Sequence, residues 1–260
     1  MIPGKLGHET VRSTIIEFVL IVLGVLVALA VDQWRDDRKQ EQFLTQQLES
    51  LVSEIDANLD TITRVRELMI PRKLTALEKV IATLDSPDPH INDLDGFLKE
   101  FAYSTLDSKV WFTRNRYDAL RSSGSFRIIG NRKIEDELSD TYDGVSILLS
   151  QATAIGAGYP ALVQQLIPAR YQRTLNNLAT YVDVGIESPG VMDNQEPRET
   201  INSIINERKK IIRLARGEVA TATAKWYALS RIKAQFENLK SLLLAHPALK
   251  YSNFNVNQPL

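Results

Sequence analysis

The sequence has no cysteine, three histidines and almost no excess of either charge. Without thiols there are no disulfides, zinc ribbons or sulfur nucleophiles, and a cysteine-free chain suits an oxidising compartment. His8, His90 and His246 share no helical face with a second histidine or a close carboxylate, so histidine-based metal or acid-base chemistry has no constellation to work with. Lysine plus arginine number 31 against 32 acids, a net charge of −1, which is not the balance of a chain built to attract nucleic acid. Gly124 and Gly130 bracket five residues and are followed by Asn131-Arg132-Lys133, which is not phosphate-loop spacing. Ser122-Ser123-Gly124-Ser125 lacks the flanking glycines of a nucleophile elbow. A convincing set of alternating strands is missing too. No cofactor is implied, and no enzyme class is indicated.

What the chain does have is a run of apolar residues. Phe18 to Val31 is fourteen residues without a charge, preceded by Ile15, Ile16 and the single acid Glu17. A helix over 13–34 is about 33 Å long at 1.5 Å per residue, close to the ~30 Å of hydrocarbon in a bilayer. Its apolar residues run all round the helix, unlike the single stripe of a helix buried in a soluble core. A cleaved export signal is the other reading: Lys5 and Arg12 form a basic start, and Ala28-Leu29-Ala30 fits a small-x-small cleavage site. Against cleavage, helix formers continue unbroken into the next segment, and Trp34 stands where an interfacial aromatic belongs.

Glu17 lies about one turn inside the edge of the run. Eleven Val, Leu, Ile and Phe residues between 18 and 31, at about −0.3 to −0.6 kcal/mol each, outweigh an acid that costs at most roughly 2.5–3.5 kcal/mol at mid-membrane. The acid is either an interfacial residue reaching the headgroups or an intramembrane group at an oligomer axis. Gly24 and Ala28 have the small-xxx-small spacing that lets two spans approach closely. Lys5 and Arg12 on one side nearly balance Arg35, Arg38 and Lys39 on the other, so the positive-inside rule decides little. A short tail before a span and a large domain after it read most simply as a signal anchor with the domain exported.

Behind the anchor, Leu44, Leu48, Leu51, Ile55, Asn58, Ile62, Val65 and Met69 recur in steps of three and four, with Val52, Leu59 and Leu68 widening the stripe. This predicts a long amphipathic helix that stops at Pro71. Asn58 on that seam is either a register-setting polar residue or a satisfied core amide. A helix over 72–84 then ends at Ser86-Pro87-Asp88-Pro89. Asn92 or Asp93 caps the next helix, through Tyr103, and Ser108 caps one carrying Trp111, Phe112, Tyr117 and Leu120. Residues 125–130 read as an extended or turn segment. Asn131 caps a helix with Ile134, Leu138, Tyr142, Val145, Leu149, Ala152 and Ile155 on one face. Breaks follow at 156–160 and Pro168, then helix toward Tyr181 and a polar loop over 187–196. The last helix starts near Pro197 and ends near His246-Pro247. On it Ile201, Ile205, Ile212, Ala215, Val219, Ala222, Trp226, Leu229, Phe236 and Leu243 form one side, and charged residues including Glu218 and Lys225 decorate the rest.

The fold class expected is therefore all-α. A tail over 1–12 leads into a transmembrane helix over 13–34, a stalk over 35–70, an antiparallel helical bundle over 71–246 and a polar tail over 247–260.

Two stretches together resemble a known family. Glu17, Leu20, Val22, Gly24-Val25-Leu26-Val27-Ala28-Leu29 and Trp34 resemble the anchor of a bacterial membrane family catalogued as domain of unknown function 6090. Tyr117-Asp118-Ala119-Leu120-Arg121-Ser122-Ser123-Gly124, with Asn131, Glu137-Leu138 and Tyr142, is similar to that family's second recurring block. The resemblance implies an uncleaved span and a helical soluble domain, and it makes Glu17 a recurring feature of the anchor. It implies no activity.

Two sets of site residues follow. Glu17, Gly24, Ala28 and Trp34 are candidates for a membrane or oligomer interface. Arg114, Arg116, Arg121, Arg127, Arg132 and Lys133, with Asp118 the only acid among them, are either a solvated face paired with Glu135, Asp136 and Asp140 or a surface for anions or lipid headgroups. The aromatics Trp111, Phe112, Tyr117, Trp226 and Tyr227 read as core or as the lining of a pocket. The expected partners are the bilayer and a second copy of the chain or another membrane protein, with no nucleic acid. The expected location is the bacterial inner membrane, in one pass, with the bulk domain periplasmic. The function that fits is self-association or partner docking without catalysis. A ligand-sensing bundle that signals through a partner, or a channel or transport accessory with Glu17 near an axis, are the alternatives.

Overall fold

The computed structural model describes residues 7–106, 110–153, 158–167 and 197–250, and those residues are helical throughout apart from short connections. The all-α expectation holds, and no strand occurs among the described residues. The elements are α1 (Gly7–Arg64), a π-helical turn (Val65–Met69), α2 (Ile70–Leu84), α3 (Leu94–Tyr103), α4 (Asn115–Ser122), a 3-10 turn (Ser125–Ile129), α5 (Arg132–Thr153), α6 (Tyr159–Leu166), α7 (Pro197–Asn206), α8 (Arg208–Leu244) and α9 (Pro247–Lys250). The chain divides into two compact units, one of residues 1–50 with 245–260 and one of residues 51–244. Ser108, Ile155, the helix expected toward Tyr181 and the loop over 187–196 lie outside the described residues.

In the first unit the apolar run is helical and bare. Phe18, Leu20, Ile21, Leu23, Leu26, Val27 and Leu29 are each more than half exposed, and the window they occupy is long and apolar enough to cross a membrane. The residues from Asp32 to Gln42 are exposed as well. Farther along, Thr45 donates to the carbonyl of Ala248 at 3.4 Å, where α9 lies with Leu249 buried.

In the second unit α8 is the central helix, with α2, α5, α6 and α7 packed against it. It runs antiparallel to the end of α1. Asp56 of α1 meets Lys240, whereas Arg66 and Glu67 in the following π turn meet Ser230 and Lys233, so the partners on α8 lie earlier in its sequence as the chain advances. Tyr117 of α4 stacks on Tyr142 of α5 at 4.6 Å between ring centroids, and Tyr142 meets Phe236 of α8 edge-on at 5.4 Å. A further apolar cluster joins α2, α3, α6, α7 and the start of α8 through Leu77, Val80, Phe101, Val163, Ile204 and Ile211.

The long helix does not stop at Pro71 as expected. Helical backbone continues through Val65–Met69 as a π turn into α2, with the Ile70 N–H bonded to the Val65 carbonyl. Proline removes one N–H from the helical ladder, and a π turn inserts one extra residue at that point. The buried positions show the insertion directly: Val65 is followed by Ile70, Lys73, Leu77, Val80 and Leu84, a step of five where an α-helix gives three or four. Leu68, expected to widen the buried stripe, is instead 61% exposed. Replacing Leu68 by glutamine therefore changes the unfolding free energy by no more than the roughly 0.5 kcal/mol of a surface change. A loss above ~2 kcal/mol in chemical denaturation would show that Leu68 is core.

Helix boundaries elsewhere follow local chemistry. The Asp93 side chain caps α3 by accepting the Gly96 N–H at 2.9 Å, and its carboxylate occupies the place a Cβ on residue 96 would need. Asn131 accepts from the N–H groups of Lys133 and Ile134, the expected cap of α5. Gly124 ends α4 with φ +69°, a left-handed conformation that glycine adopts without steric cost. Residues 125–129 form a 3-10 turn. Trp111 and Phe112 precede α4 in non-helical chain and are not carried on it. The last helix is interrupted at Glu207 into α7 and α8. Glu218 and Lys225, expected on its solvent face, are both buried.

Candidate functional site

The first candidate is the apolar stretch of α1. At 100° per residue, Glu17, Ile21, Gly24, Ala28 and Val31 fall within about 80° of one another, so the acid and the two small residues share one stripe. A Cβ built on Gly24 meets nothing within 4 Å, so no packing within this chain calls for glycine there. Ala28 and Glu17 are exposed. Trp34 ends the stretch, 59% exposed, with the Arg38 guanidinium 5.6 Å from its ring centre.

The second candidate, the basic region, is brought together only in part. Arg114 donates from Nε to both carboxylate oxygens of Asp118 at 3.0 Å and reaches Asp143 at 3.4 Å. Arg121 donates to Asp143 at 2.9 Å and to the Tyr117 hydroxyl at 3.0 Å, and that hydroxyl lies 3.3 Å from Asp143. Asp118 first, then Asp143, raises the Arg114 pKa, and Asp143 first raises that of Arg121. Both guanidinium charges are thus matched internally. Sequence spacing pointed to Glu135, Asp136 and Asp140 as the acids. Of these Asp136 meets Arg132, at 3.9 Å with both side chains largely exposed, a pair worth little. The acid that reaches both arginines, Asp143, is one turn of α5 beyond Asp140 and gives no signal by spacing. Arg116, Arg127 and Lys133 are exposed and form no ion pair among the described residues. Arg116 contributes its backbone N–H, which donates to Glu54 at 2.7 Å.

The polar groups behind this region are structural in their bonding. Asn58 is 1% exposed; its amide donates to the Thr113 carbonyl and accepts the Thr113 N–H, both at 2.8 Å. It is a satisfied core amide that clamps the 110–114 segment. Glu54 accepts from the Tyr142 hydroxyl at 2.9 Å as well as from Arg116. Burial, reinforced by the Glu54 charge, pushes the Tyr142 phenol far above its ordinary value, so it stays a neutral donor.

The aromatics divide. Tyr117 is fully buried, Phe112 stacks on Phe236 at 5.9 Å, and Trp226 lies under the Arg66 guanidinium at 4.3 Å. Trp111 is 79% and Tyr227 62% exposed. They do not converge on a cavity. A depression of about 360 Å³ lies elsewhere, open to solvent and lined by Glu78, Ile81, Ala82, Arg216 and Val219. No cluster of three metal-ligating side chains occurs among the described residues.

The arrangement defines an all-α protein with one N-terminal helix able to cross a membrane. No protein-family model, curated protein or solved structure matches the chain.

Proposed function

We propose that the chain is a non-enzymatic, single-pass membrane-anchored helical protein that acts by self-association or by docking onto another membrane protein. The observation that carries this reading is the stripe of Glu17, Gly24 and Ala28 on a helix whose apolar side chains are exposed on every side. Apolar residues all round suit lipid, and small residues without an internal packing role suit a second helix. Copies of one single-pass protein share an orientation, so a seam on this stripe is parallel and brings Glu17 beside Glu17. The resemblance of the anchor and of the 117–142 block to domain of unknown function 6090 agrees with an uncleaved span. A bacterial inner-membrane location with the bundle periplasmic completes the proposal.

Cross-linking and mass measurement of the full chain in detergent test it. The wild type gives a dimer or higher oligomer, Gly24→Ile returns monomer, and Glu17→Gln keeps assembly because an amide still hydrogen-bonds. A wild type that stays monomeric at high concentration, or Gly24→Ile oligomers as abundant as wild type, would refute the self-association reading.

A further inference from the structure

The π turn separates two parts of the 51–244 unit that are fastened in different ways. Before it, α1 is tied to its neighbours by the Asn58 clamp on Thr113, by Glu54 on Tyr142 and Arg116, and by Asp56 on Lys240. After it, the polar bonds of α2 run chiefly to α3, while its apolar face packs on α8. Glu100 accepts from Arg72 at 2.8 Å and from Lys79 at 3.0 Å, and the Arg72 guanidinium lies 4.1 Å from the Tyr103 ring centre. Arg72 first, then Lys79, holds the Glu100 carboxyl below its ordinary pKa. These bonds make α2 and α3 one body.

What joins that body to α8 differs in kind. Apolar packing apart, a buried ion pair joins them, Lys73 with Glu218 at 2.5 Å, with the side chains 8% and 7% exposed. Arg216 with Asp85 is a second link, more than half exposed on both sides. On the α3 side, the Ser104 and Tyr159 hydroxyls share a hydrogen bond at 2.6 Å. A buried pair holds as long as both charges are present, but leaves an uncompensated charge once either is lost. The π turn is where the helical ladder is weakest, because its bonds span five residues and Pro71 supplies no N–H.

We propose that α2 and α3 open from α8 as one body, hinged at the Val65–Met69 π turn and latched by the Lys73–Glu218 ion pair. Opening uncovers the apolar faces of α6 and α8 around Leu162, Val163, Ile211 and Ala215, all now buried. This inference stands on the 51–244 unit alone and does not depend on what the span does.

Native-state hydrogen exchange of the full chain in detergent, at increasing low denaturant, reads it. In the wild type, amides of 73–84 and 97–103 exchange through one shared opening, and those of 55–62, 138–149 and 229–243 through a rarer one. Glu218→Gln raises exchange in the first set by about a hundredfold or more and leaves the second set within a few-fold. The double variant Lys73→Met/Glu218→Leu restores protection of the first set to wild-type level or above, because apolar residues replace the pair without an unpaired charge. One common opening for both sets in the wild type, or equal acceleration of both sets in Glu218→Gln, would overturn the proposal. The wild-type measurement decides it even if the single variant does not fold.

Discussion

Truncating Phe236 to alanine lowers the unfolding free energy of the 51–244 unit by about 3–5 kcal/mol, the range for removing a fully buried aromatic. Phe236 is 0% exposed. It is the ring that Phe112 stacks on and that Tyr142 meets edge-on, so its loss leaves a cavity between α5, α8 and the 110–114 segment. Those neighbours are fixed by other bonds: Tyr142 by Glu54, and Thr113 by Asn58. They cannot collapse into the space, which places the cost toward the upper end of the range. A domain of this size has about 5–15 kcal/mol in all, so the variant is marginal at growth temperature. Chemical denaturation of the full chain in detergent gives the value. A loss under ~1 kcal/mol would mean that the ring is not at the centre of a packed core.

Asn58→Leu costs about 2–4 kcal/mol by a different route. The leucine is close in volume and apolar, so hydrophobic burial is not reduced. The loss is the two bonds to the Thr113 backbone, each leaving a polar group without its partner at about 1–3 kcal/mol, offset in part because residue 113 itself is exposed. The segment released is the one that holds Phe112 against Phe236, so the two substitutions are coupled. Combined, Phe236→Ala and Asn58→Leu cost less than the sum of the single losses, by roughly 0.5–3 kcal/mol. Strict additivity in the double-mutant cycle would show that the clamp and the aromatic stack act separately.

Most of the helical architecture was legible because its signals are local. Apolar recurrence at three and four residues marked α5, with Ile134, Leu138, Tyr142 and Val145 buried as expected. Caps marked α3 and the start of α5, and Gly124 marked the end of α4. The errors share a cause, which is that a short-range rule met a long-range partner. Pro71 reads as a stop by its missing N–H. The step of five from Val65 to Ile70 that reveals a continued helix becomes visible only once Leu68 is known to face solvent. Glu218 and Lys225 read as surface charges by type, and nothing along the sequence announces that Lys73, 145 residues away, pairs with Glu218 inside the protein. Asp143 escaped for the same reason, since it gathers Arg114, Arg121 and Tyr117 across two helices.

The candidate sites were legible to different degrees. The apolar stretch, its acid, its small residues and its terminal tryptophan are a contiguous pattern, and the sharing of one stripe by Glu17, Gly24 and Ala28 follows from helical geometry alone. The basic region was legible as composition and not as a site. Arg114 and Arg121 are occupied by acids, whereas Arg116, Arg127 and Lys133 remain open to solvent.

The account depends on the first helix staying attached and lodged in lipid. The most direct measurement is the intact mass of the protein in membranes washed with alkaline carbonate and then dissolved in detergent. The account predicts the whole 29.3 kDa chain in that fraction, released only by detergent. A chain beginning at Val31, or the full-length chain recovered in the carbonate wash, would contradict it.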